Sequence, residues 1–488
     1  MKLLDSQKTE TSKRKDGVVL ALLTLTLVMV ISTTVVLNIA LPTVVGHFQA
    51  SPASSTWLLL APNLINACLL VPFGRIADSY GRRRMFLIGL AIFIASATAA
   101  GFAPSIEVLI LIVVVQAVGA AILMSNTGAL VASVFKGEKL NSAMGIYMVG
   151  VSVAQMLGPS IGGLIVAHLS WSWLYWAQTP LAMLCLVLGL IYLRNLPDRT
   201  PRPGNLDYGG SIVLLLSLGL LLTGISAVQN AGLISWQFFV PTVGAMALVP
   251  LLYWIETNAK DPILQFSLLR RRAFIMANLS NLLNAMPRFT TVVLLSLYFQ
   301  VVRGCTPLQT ALLIIPLPVG VTVSSLLADK VAAAVGARKG SAAAAGVMFV
   351  GVLILMFSVL EGWQYTVIAA GLTLLGLGAG VFTPLNSVVI ISQAPDSEVG
   401  TVNALRLTIL NLGTSLATAT SLSIVAATLP ISGRDGFFHA TAGENYLPLL
   451  QKGYFIVFLV MAVATVISAI AAYLSTDGRR ASMSATSS

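Results

Sequence analysis

The strongest constraint on this chain is the recurrence of apolar runs of about 20 residues or more, each long enough to cross a bilayer as a helix. Counted by length and by breaks at glycine, proline and charge, there are fourteen. The predicted spans are 18–45, 55–76, 85–103, 106–134, 141–167, 173–193, 208–228, 235–255, 274–302, 307–328, 341–360, 364–392, 400–428 and 453–475. Charged residues make up only 9% of the 488 residues and hydrophobic ones 57%, against roughly 25% charged in soluble domains. Inside lipid every backbone polar group needs an internal partner, which helices provide. The expected fold class is therefore an all-α polytopic membrane protein.

The positive charges check the count independently, because Lys and Arg concentrate in cytoplasmic loops. With the N-terminus inside, 23 of the 28 Lys and Arg fall on cytoplasmic segments. The outer side holds Arg303, Arg434 and Lys452, and two arginines, Arg288 and Arg406, stay inside predicted spans. A miscount by one helix would scramble this pattern, so both termini are expected in the cytoplasm. The formal charge of +11 reflects topology, with no nucleic-acid partner expected. Residues 1–16 are polar and basic and read as a disordered cytoplasmic tail.

Cys68, Cys185 and Cys305 are far apart, and His47, His168 and His439 sit in or beside connections on the outer side. Neither set has ligand spacing, so no metal or cofactor is expected. No clustered titratable groups of the kind an enzyme needs are present. The phosphate-binding pattern G-x-x-x-x-G-K-[ST] is missing too, which argues against an ATP-driven pump.

Charge returns in one short stretch, 74–84, between the second and third spans: Gly74-Arg75-Ile76-Ala77-Asp78-Ser79-Tyr80-Gly81-Arg82-Arg83-Arg84. Gly74 and Gly81 are expected to let the backbone turn, and Asp78 to pair with a base or a helix N-terminus. A weaker copy, Asp329-Lys330 with Gly336-Ala337-Arg338-Lys339, follows the second helix of the last six. It points to an internal repeat. The fifth span carries Gly158-Pro159-Ser160-Ile161-Gly162-Gly163, small residues that allow close helix packing.

These motifs resemble the major facilitator superfamily, and within it the fourteen-spanner drug:proton antiporters of multidrug efflux type. Asn38-Ile39-Ala40-Leu41-Pro42, the segment 171–180, Tyr298-Phe299-Gln300, Gly304-Cys305-Thr306-Pro307 and Gly376-Leu377-Gly378-Ala379-Gly380-Val381-Phe382-Thr383-Pro384 carry the resemblance across residues 18 to about 475. It implies a 6+2+6 arrangement: an N-terminal six-helix bundle (17–196), a two-helix insert (197–259), a C-terminal six-helix bundle (260–476) and cytoplasmic tails at 1–16 and 477–488. It also implies a cytoplasmic latch at Gly74, Asp78, Gly81, Arg82 and Arg83, and an antiporter motif at Gly158, Pro159, Gly162 and Gly163. The implied protein is a monomeric, multi-pass cell-membrane transporter, not an enzyme, exporting drug-like molecules in exchange for protons. Two positions depart from the family pattern. Thr33 stands where an acid is usual and Val113 where an arginine is usual, so the ordinary route of proton coupling is not supported.

No carboxylate lies in the middle of any predicted span, whereas Arg288 lies about halfway along the ninth. Asn281, Asn284 and Arg288 share one helical face by their spacing. They are candidates for a substrate cavity, with Thr33, Thr34, Asn38 and Gln116 from the first and fourth spans. Arg406, in the cytoplasmic third of the thirteenth span, is a second charge site. For both arginines two readings stand at this point, interhelical bonding and substrate contact. The functional alternatives are an exporter of amphipathic small molecules, a carrier of anionic or lipid-like solutes using Arg288, and, remotely, a non-transport membrane scaffold.

Overall fold

A computed structural model describes residues 2–135, 138–194, 208–231, 235–258, 271–361, 364–393, 399–438 and 446–475. The tail 477–488, the link 197–207, Trp363 and His439 lie outside the described residues. The spanning helices are α1 (Lys2–Phe48), α2 (Pro52–Tyr80), α3 (Arg82–Ala100), α4 (Ile106–Val134), α5 (Glu138–His168) and α6 (Trp173–Tyr192, with a break at Ala177). The insert is α7 (Tyr208–Ala231) and α8 (Trp236–Asn258). Then come α9 (Arg272–Val301), α10 (Pro307–Ser325), α11 (Ala337–Glu361), α12 (Tyr365–Ile391), α13 (Val399–Ala427) and α14 (Leu447–Leu474). Thirteen helices among the described residues are long and apolar enough to cross a membrane; α5, with 31 residues, corresponds to the remaining predicted span. Short helices Ala328–Val335 and Ile431–Phe438 sit in connections.

Two expectations are corrected. The tail read as disordered is helical from Lys2 onward. It holds no glycine before Gly17 and no proline, so nothing in the local sequence stops α1 from extending outward. Gly74 does not turn the chain. It lies inside α2, where its nearest neighbour is ordinary contact with Ser125 Cβ, 3.9 Å from where a Cβ would be. The turn is made at Gly81 alone, at φ 100°, its N–H donating to Ala77 O at 3.0 Å. Gly336, at φ 82°, does the same between Ala328–Val335 and α11. Both glycines stand immediately before the third helix of their half, where other residues are strained. The repeat read from sequence is thus present in the backbone.

Glycine also sets how closely the helices approach. A Cβ on Gly162 would fall 3.1 Å from Val36 O of α1, and one on Gly163 would fall 2.8 Å from Pro307 O and 2.9 Å from Leu308 Cα of α10. Gly163 therefore lies in the seam between the halves. Nearby, Gln300 Nε2 of α9 donates to Ile39 O of α1 at 3.2 Å. The largest buried cluster joins both halves at this outer end, with Leu41, Val44 and Trp171 in the same cluster as residues such as Leu294, Leu297 and Phe437. Among the described residues, the buried clusters at the cytoplasmic end belong to one half each. The apolar core shared by the halves thus lies toward the outer side.

The insert stands against this pair. α7 packs on α2 and α13, and α8 packs on α7. The other face of α8 exposes Trp236, Val240, Met246 and Trp254, as lipid contact allows.

Candidate functional site

Two groups of polar side chains in the membrane interior bear on the site. The first lies within the N-terminal bundle. Thr33 Oγ1 of α1 donates to Gln178 Oε1 of α6 at 2.7 Å, with Met29 O at 3.0 Å as the alternative acceptor. Gln116 Nε2 of α4 reaches the same Gln178 oxygen at 3.4 Å, and Gln178 Nε2 donates to Leu174 O at 2.6 Å. Gln116 is buried and its own carbonyl oxygen has no partner. An uncharged hydroxyl–amide cluster thus occupies the position of Thr33, and Val113 is packed into the core beside it. Gln178 lies in the segment 171–180 that carries the resemblance but is not among the residues expected to line the cavity. It sits where α6 starts after the break at Ala177, a place that helical periodicity does not locate. Thr34 and Asn38 are half-buried, and their side chains make no hydrogen bond to another described residue.

The second group centres on α9. The helix loosens into a π-helical turn, Met286–Thr290, that holds Arg288. Pro287, which has no N–H to give the regular ladder, lies in this turn, and single π-turns of this kind recur at functional sites. From here Arg288 donates to Thr383 Oγ1 of α12 at 2.8 Å and to Gln155 Oε1 of α5 at 3.5 Å, and its guanidinium lies 4.8 Å from the Phe289 ring centroid. Gln155 belongs to the N-terminal bundle, so Arg288 spans the gap between halves. Placing an arginine at mid-membrane costs about 2.5–3.5 kcal/mol on insertion scales.

The structure does not bring Asn281 and Asn284 to Arg288. Both are buried. Asn281 Nδ2 donates to Arg406 O of α13 at 3.0 Å, and Asn284 Nδ2 contacts Met348 Sδ of α11 at 3.1 Å. The three residues share a face in a regular helix, but each meets a different neighbouring helix here, and the π-turn changes the register at Arg288. Arg406 Nε donates to Asn403 Oδ1 at 3.1 Å.

At the cytoplasmic end Asp78 Oδ1 accepts from Arg82 Nε at 2.7 Å across Gly81. Asp78 is 55% exposed. Arg83 Nε is buried without a hydrogen-bond partner. The cysteines are free, and no group of residues that could hold a metal occurs among the described residues.

A family model described as Major Facilitator Superfamily matches residues 22–418 and 277–487. The chain belongs to the major facilitator superfamily. The multidrug resistance protein Stp of Mycobacterium tuberculosis (strain CDC 1551 / Oshkosh) is 28% identical over 405 residues, covering 83% of this chain and 74% of Stp. The multidrug efflux pump LfrA of Mycolicibacterium smegmatis is 28% identical over 424 residues, covering 86% of this chain and 82% of LfrA. In fold, this facilitator is similar to an inward-facing, unoccupied bacterial homologue of the human lysosomal transporter Spinster (TM-score 0.65, 15% identity, 94% and 97% of the two chains). A D-xylose–proton symporter gives 0.63 at 13% identity over 95% and 98%. The facilitator is a secondary transporter of small molecules and a multi-pass cell-membrane protein.

Proposed function

We propose that this facilitator works as a monomer and exports amphipathic small organic molecules by alternating access. The observation that carries the reading is Arg288, a charged side chain at mid-membrane that reaches from one half to the other through Gln155. A group so placed meets a solute in the gap and feels the halves move. The drug-efflux relatives support the export direction. Proton antiport, implied by resemblance, has no carboxylate at mid-span to carry it; the Thr33 cluster is made of groups that do not titrate near neutral pH. The test is flux of dyes of both charges in proteoliposomes under imposed pH and voltage gradients. Movement of neither dye would refute export of amphipaths.

In this reading the stretch around Gly81 closes the cytoplasmic side when the halves meet there. Asp78→Asn is expected to reduce transport severalfold with little change in melting temperature, since an exposed ion pair contributes only about 0.2–1 kcal/mol. Flux and thermal melting of the same preparation check it, and undiminished flux would remove the latch role.

A further inference from the structure

Building on that export reading, we infer that the transported molecules are anions, held by Arg288, and that the inside-negative membrane potential drives them out. Among the described residues, neither Arg288 nor Arg406 has a carboxylate partner. Arg288 leans on Thr383 and Gln155, and Arg406 on Asn403, all neutral groups. Each guanidinium offers five N–H donors, more than these neighbours take up. Both side chains are half-buried rather than sealed in. Because the partners of Arg288 come from α5 on one side and α12 on the other, the surface it leaves open faces the gap between the halves. Among the described residues nothing opposite in sign stands beside Arg288, so it holds a positive charge in low dielectric with only neutral partners. A carboxylate, sulfonate or phosphate would neutralise that charge and could be gripped by two N–H groups at once. A cation would be repelled.

The same assignment accounts for the missing acids. An exporter of cations works against an inside-negative potential and needs an ion moving the other way, carried by some titratable group. An anion is expelled by the potential itself. For one negative charge, 100 mV sustains about a fifty-fold concentration ratio at equilibrium. No carboxylate at mid-span is then required, and none is present.

The test uses purified full-length protein in phosphatidylcholine liposomes, with no anionic lipid to occupy the site. Sulforhodamine B and rhodamine 6G share a xanthene core and carry opposite net charge. With a potassium diffusion potential set by valinomycin, sulforhodamine B is expected to move toward the positive compartment and rhodamine 6G to move no faster than in empty liposomes. A pH gradient at zero potential should drive neither. Arg288→Gln should lower sulforhodamine B flux about tenfold or more, and Arg288→Lys should recover part of it because the charge returns. Binding of sulforhodamine B in detergent should weaken in parallel, a change that a purely structural arginine would not produce. Wild-type transport of rhodamine 6G but not sulforhodamine B would overturn the charge assignment and leave export standing. Transport of neither would fail the export reading itself. Potential-independent sulforhodamine B flux would overturn the driving force.

Discussion

Gly163→Leu is expected to open the outer side of the transporter and to abolish cycling. At Gly163 a first side-chain carbon already falls 2.8 Å from Pro307 O and 3.0 Å from Ala311 Cβ. The obstacle is backbone, fixed at the start of α10 by a capping box in which Thr306 Oγ1 accepts from Gln309 N–H and Gln309 Oε1 accepts from Thr306 N–H. A capped helix start cannot rotate aside as a side chain can. Overpacking of this kind costs typically about 1–3 kcal/mol, and here the strain is relieved when the halves separate outside. It therefore falls on the closed-outside state alone, and about 3 kcal/mol there shifts the balance of states more than a hundredfold.

Cys305 reports the change without any added cysteine. It lies at the outer end, partly covered by the cluster that joins the halves, whereas Cys68 and Cys185 are buried. Partial burial raises its thiol pKa, with Arg303 pulling the other way. Only the thiolate reacts with a maleimide. Opening the seam exposes Cys305 and relaxes the upward shift, so labelling by a membrane-impermeant maleimide at fixed pH should rise about tenfold in Gly163→Leu. The gain should be largest on the acid side of the thiol pKa, where the thiolate fraction limits the rate. Gly46→Leu, where a Cβ would meet nothing within 4 Å, should label like wild type. Equal labelling in all three proteins would show that Gly163 is not part of the outer seal.

The parts of this architecture that could be read from sequence are those set by the solvent. Bilayer thickness fixes the length of an apolar run, and the side preference of Lys and Arg fixes its direction, so spans and termini follow from residues taken one at a time. Gly81 was legible because a positive φ has few other occupants. What was not legible depends on neighbours distant in sequence. Asn281, Asn284 and Arg288 fit one face by spacing, yet a π-turn beside Pro287 divides them among α11, α12 and α13. Gln178 matters only because α1 and α4 bring Thr33 and Gln116 to it. Composition made 1–16 a disordered tail, but α1 continues through it for want of a breaker. Periodicity finds a helix face; it does not say which helix that face will meet.

The tightest of those unseen meetings yields the second large effect: Gly376→Val is expected to prevent stable folding. On α12 a Cβ at Gly376 would run into Leu317 O of α10, and one at Gly380 into Ser324 and Val321 O of the same helix. From the α10 side, a Cβ on Gly320 would lie 2.7 Å from Thr373 O. On the next face of α12, Gly378 would meet Ala344 O of α11 at 2.6 Å. Without a hydrophobic drive between helices in lipid, such close packing is a main source of association. A valine here forces α10 from α12 along their length, at about 3 kcal/mol or more. Gly346→Val on α11, where a Cβ would meet nothing within 4 Å, makes the same change without the obstacle. Size-exclusion profiles and thermal melting in detergent should show Gly346→Val near wild type and Gly376→Val aggregated or absent; two equally stable proteins would refute the packing account. The milder Gly376→Ala links packing to transport. Thr383, which holds Arg288, lies two turns along α12 and is itself anchored to Ala379 O at 2.9 Å. A displaced α12 carries Thr383 with it, so Gly376→Ala should lose proportionally more flux than melting temperature.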